Sequence, residues 1–184
     1  MPATRALARA AVALASVLIA GGCSSLGMGS GEPSRCPHVA IMPDLQAVAK
    51  FGPGSGRQES NVAYGARMLN SSSSCELDKK RGGISVSTKL GIAALRTSSE
   101  VKKGQVTYLV AVVDRNSQIL TERDFVIELD FPSTQRRLEI TEEHTLFIPM
   151  PKDRAGDDYG VIFGFRLTPD ELEYNRAHAT RNPG

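Results

Sequence analysis

Tryptophan is absent from this chain of 184 residues, and the other aromatics are sparse, with six Phe and four Tyr. A core built here must therefore be mostly aliphatic, and the buried Trp that marks antibody-type domains is excluded. Histidine occurs only at His38, His144 and His178, in different stretches and with no second ligand at metal spacing, so no metal centre is expected. Each of the three reads as a surface or rim residue. There is no Gly-x-Ser-x-Gly elbow and no Cys-x-x-Cys pair. Asp153, Asp157 and Asp158 lack the regular oxygen spacing of a calcium loop. In Glu142-Glu143-His144 adjacent side chains alternate faces, which argues against acid–base work. No catalytic residue, metal or cofactor is expected.

No apolar run reaches the ~20 residues needed to cross a bilayer as a helix. The longest spans Ala10 to Ala20, is preceded by Arg5 and Arg9, and is followed by the small residues Gly21 and Gly22; no acid occurs before Glu32. These are the three parts of a secretory signal over residues 1–22. Removing it takes two of the 22 basic residues and none of the 20 acids, so the remainder carries no formal net charge. That balance gives no charge signature for nucleic acid or anionic lipid.

Leu18-Ile19-Ala20-Gly21-Gly22-Cys23 resembles the lipobox of bacterial lipoproteins, departing from it at Ala20, where Leu is usual. Ala20-Gly21-Gly22 would also serve as an ordinary signal-peptidase site. The resemblance implies a lipidated Cys23 and attachment through several acyl chains, since one chain anchors only marginally. Ser24 in place of Asp points to the periplasmic face of the outer membrane; the inner membrane is the alternative. With Cys23 acylated, Cys36 and Cys75 remain as a pair in an oxidising space, and a disulfide is expected. Closing that loop stabilises by about 4 kcal/mol of loop-closure entropy.

Residues 23–35 are then the anchor and a Gly/Ser/Pro linker with too little apolar content to fold. The domain is expected over 36–167. Val39 and Ile41 begin a short strand, and Asp44 to Phe51 reads as one or two helical turns capped by Asp44. From Asn61 the apolar period becomes two. Lys79-Lys80-Arg81-Gly82-Gly83 is a basic hairpin tip, its three charges short of the 4–8 of a lipid-binding cluster. Ile84, Val86, Thr88, Leu90, Ile92 and Ala94 point inward from the next strand. Residues 105–113 are apolar on both faces, which suits a central strand. Ile119 to Phe131 resumes the alternation. The strand over 138–148 is interrupted by Glu142 and His144, suggesting a bulge or an exposed stretch. Tyr159 to Leu167 is the seventh strand, with Gly160 and Gly164 open to close approach. Thr168-Pro169-Asp170-Glu171 starts a short C-terminal helix through a capping box, within a tail over 168–184.

Seven short strands with frequent turns predict an all-β fold, a single antiparallel β-sandwich of immunoglobulin or fibronectin type. The chain is also similar to small Gram-negative envelope lipoproteins to which no activity is assigned. The resulting expectation is a membrane-anchored, non-enzymatic module that binds another envelope protein, with no nucleic-acid partner. The alternative is a small-ligand carrier or hydrolase whose site is assembled from distant residues. A buried carboxylate–His pair in a cleft would favour the alternative; an unpaired strand edge would favour the module.

Overall fold

The structure is a computed structural model and describes residues 35–54 and 56–178. The expected signal peptide, Cys23 and most of the linker lie outside the described residues. Eight strands form two four-stranded sheets packed face to face. The first contains β1 (His38–Ile41), β8 (Tyr159–Phe165), β5 (Lys103–Asp114) and β6 (Ile119–Asp130), in that order. The second runs β2 (Ala47–Phe51), β3 (Val62–Asp78), β4 (Gly83–Arg96) and β7 (Arg137–Pro149). The all-β sandwich read from the alternation is the fold observed. Of the strand pairs among the described residues, only β1 with β8 is parallel, His38 lying opposite Gly160.

The core follows the period of two. Val86, Leu90 and Ile92 of β4 meet Val106, Tyr108 and Val110 of β5, with Phe163 and Phe165 of β8 beside them, all buried. Burying a Phe or Leu side chain stabilises by about 1.5–3 kcal/mol. As expected, β5 is interior to its sheet, between β6 and β8, and consecutive residues from Tyr108 to Val112 are buried, so both faces are covered there.

Residues 44–51 do not form the expected helix beyond Leu45. A single 3₁₀ turn, Pro43–Leu45, hands over to β2, which pairs antiparallel with the start of β3. Helix propensity is weak over eight residues, and pairing with β3 gives this segment ladder hydrogen bonds that one turn cannot. Val48 is buried as a result. This extra strand raises the count from seven to eight. Asp44 caps nothing; its carboxylate accepts from Arg176 at 3.0 Å.

The helix α1 (Pro169–His178) begins as expected. The Glu171 N–H donates to Thr168 Oγ1 at 3.3 Å and the Thr168 N–H to Glu171 Oε2 at 2.8 Å. Glu171 also receives Lys50 Nζ at 2.8 Å, and Asn175 Nδ2 donates to the Ala47 carbonyl at 2.7 Å. The helix is thus held to β2, while Leu45 of the 3₁₀ turn occupies the space a side chain at Gly164 would need.

At the far end of β4, Arg96 is buried with no carboxylate paired to it among the described residues. Its Nη1 donates to the carbonyl of Val101 at 2.9 Å, and its Nη2 to those of Pro132 and Ser133 at 3.0 Å each. One guanidinium therefore ties two loops to the sandwich end.

Candidate functional site

The strand β7 crosses its sheet without a break in register from Arg137 to Pro149. Neither the bulge nor the exposed stretch expected at Glu142 and His144 is present. Residues two apart share a face, so both follow Leu138 and Ile140 inward. His144 is 9% exposed, which corrects its reading as a rim residue. Facing it from β5 is Tyr108, fully buried, whose hydroxyl lies 2.9 Å from Glu142 Oε2 and 2.9 Å from His144 Nε2.

The phenol has one hydrogen, and a carboxylate oxygen can only accept. Tyr108 therefore donates to Glu142 and accepts from His144. This assigns the His144 proton to Nε2 and leaves Nδ1 a bare acceptor. Phe125 from β6 stacks on Tyr108, ring centroids 5.4 Å apart, and packs edge-on to His144 at 4.6 Å. Thr88 lies opposite His144 on β4, and its buried Oγ1 has no hydrogen-bond partner among the described residues.

Burial, reinforced by the hydrogen bond to Glu142, pushes the Tyr108 phenol far above its ordinary range. Burial also pulls the His144 imidazole below its usual value, against the opposing charge of Glu142. Both directions keep the pair neutral at pH 7. An activated nucleophile needs a lowered pKa or a base that removes its proton. Here the phenol stands between acid and imidazole and holds its proton more tightly than in water. The set is a hydrogen-bonded network whose free function is the Nδ1 acceptor.

That acceptor belongs to a residue lining a cleft of about 410 Å³ between the two sheets. Thr121, Arg123 and Phe125 of β6 form one wall; His144, Thr145 and Leu146 of β7 form the other. Both strands are terminal in their sheets, and among the described residues β6 pairs only with β5 and β7 only with β4. Two strand edges therefore flank one opening. Arg123 makes no ion pair among the described residues.

No family model matches the chain, and neither does any curated protein or solved structure.

The remaining expected residues fall elsewhere. Cys36 and Cys75 form the disulfide, Cα atoms 5.8 Å apart. His38 is exposed on β1, and His178 stacks on Tyr174 within α1, centroids 4.0 Å apart. No cluster of three metal-ligating side chains occurs among the described residues. Asp157 and Asp158 bind Arg35 and Arg115. The association of Tyr108 with Glu142 and His144 was the one missed from sequence. Its signal was present: even-numbered residues from Leu138 to Ile148 hold one face, polar ones included.

Proposed function

We propose that this chain is an exported lipoprotein, held through Cys23 at the periplasmic face of the outer membrane, whose sandwich binds an extended segment of another envelope protein without catalysis. The observation that carries this is the pair of unpaired edges, β6 and β7, on one flank. An unpaired edge offers backbone N–H and C=O groups to an added strand. The edge β6 also exposes Ile119, Leu120 and Val126, each more than half exposed, a concentration of apolar surface suited to a partner. The Cys36–Cys75 bridge supports an oxidising compartment.

A small-ligand site in the cleft is the second reading, favoured by the His144 acceptor beside Arg123. The two readings separate in one experiment. A photo-cross-linking residue placed at Leu120 or Val126 in intact cells is expected to trap a discrete protein adduct, with Leu95 on the outer face of β4 as the control site. Adducts that form equally from Leu95, or none from β6, would reject strand addition. The anchor is tested separately: wild type should partition into detergent and Cys23→Ser should not.

A further inference from the structure

Four segments meet at one end of the sandwich: the entry of the chain at Arg35, the β3–β4 tip, the β5–β6 turn and the loop after β7. The Cys36–Cys75 bridge fixes the entry three residues before the end of β3 at Asp78. Arg35 is held there twice more. It pairs with Asp157 at 2.9 Å, and its carbonyl lies against Gly156 where no Cβ would fit. The Met150 N–H donates to the Gly82 carbonyl at 3.0 Å, which draws the loop after β7 alongside the tip.

Charge at this end is uneven, although the chain from residue 23 onward is balanced. Lys79, Lys80, Arg81 and Lys152 are exposed and make no ion pair among the described residues. Arg81 lies over the Phe147 ring, 3.7 Å from its centroid, which props the guanidinium at the tip. Arg154, half-buried in the loop after β7, adds a fifth positive charge, part of whose field falls on Asp158. Asp157 and Asp158 pair with Arg35 and Arg115. Asp78 and Asp114 accept only backbone N–H groups of their own turns and, like Asp153, keep their negative charge without an ion pair among the described residues. The cations of this end still outnumber these acids.

We propose that this end is a membrane-docking surface, in which Lys79, Lys80, Arg81, Lys152 and Arg154 engage the phosphates of anionic phospholipid headgroups. The orientation rests on the anchor read at Cys23. Residues 24–35 separate that cysteine from Cys36, reach at most about 40 Å, and join the sandwich at this same end. The strands then stand on the bilayer and the β6–β7 flank faces sideways. The tip alone has three charges, but the loop after β7 brings the cluster to five, inside the range of 4–8 that binds headgroups. Each such residue near an anionic surface strengthens binding about fivefold.

The test uses the chain from residue 23 with Cys23→Ser, which contains the whole sandwich and carries no acyl group. Vesicles of phosphatidylcholine with phosphatidylglycerol should bind it in low salt and release it in high salt, while phosphatidylcholine alone should not bind. Lys79→Glu/Lys80→Glu should weaken binding about 25-fold or more. Both side chains are exposed and unpaired, so the fold is retained, as a matching thermal melt would verify. Equal binding to both vesicle types, or undiminished binding by the charge-reversed variant, overturns the proposal. Loss of the anchor reading shows elsewhere, as a wild-type N-terminus that lacks acyl mass, and leaves the vesicle result standing.

Discussion

The Tyr108 hydroxyl and the Nε2 of His144, 36 residues apart in sequence, lie 2.9 Å apart between the two sheets. That contact explains how a strand otherwise lined with Leu and Ile carries Glu142 and His144 inward. Two polar side chains are tolerated there because one buried phenol satisfies both.

Tyr108→Phe keeps the ring and removes the shared partner. It leaves Glu142 and the Nε2–H of His144 unsatisfied and should cost about 1–3 kcal/mol, read as a lower urea midpoint.

The His144 imidazole is held below its ordinary pKa in the fold, chiefly by burial. The folded state therefore binds fewer protons than the unfolded chain. Its contribution to stability is complete above the unfolded value of about 6.5 and declines as pH falls through and below it. Urea midpoints measured from pH 8 to pH 5 should drop across this window, and the drop should shrink in His144→Gln. An NMR titration that places the His144 midpoint above 6.5 would contradict the assignment.

Arg96 donates to carbonyls from two loops, and lysine cannot reach both. Arg96→Lys should lose about 2–4 kcal/mol, with amide exchange rising first at residues 97–102 and 132–136. A uniform rise across the sandwich would show that Arg96 acts on the core and not on the loops.

Gly156 has the Arg35 carbonyl where a side chain would begin. Gly156→Ala should destabilise by about 1–3 kcal/mol through forced backbone movement. Removing the neighbouring bridge in Cys36→Ser/Cys75→Ser should cost about 4 kcal/mol. Both constrain the same chain entry, so the triple variant should lose less than the two costs taken together.

Much of the fold was legible because a strand with one buried face repeats every two residues whatever it pairs with. The β4 face from Ile84 to Ala94 and the covered strand β5 needed no partner to be recognised. The capping box at Thr168 and Glu171 was equally local. The segment that became β2 was not legible. Five residues carry too little period to outweigh a helical reading, and what decides them is the exposed edge of β3. The two polar residues of β7 were misread for a related reason. Alternation says which face they share, but whether that face tolerates them depends on Tyr108 from the other sheet.

The sequence by itself determined the sandwich, the hairpin tip and the helix start, since each follows from spacing and composition within a short window. Only the tertiary structure decided that Glu142 and His144 turn inward, that β6 and β7 leave two edges on one flank, and that the loop after β7 joins the basic tip beside the chain entry. Those relations join residues tens of positions apart. They exist only once hydrophobic burial has stacked the two sheets and set their order, and no local pattern records that order.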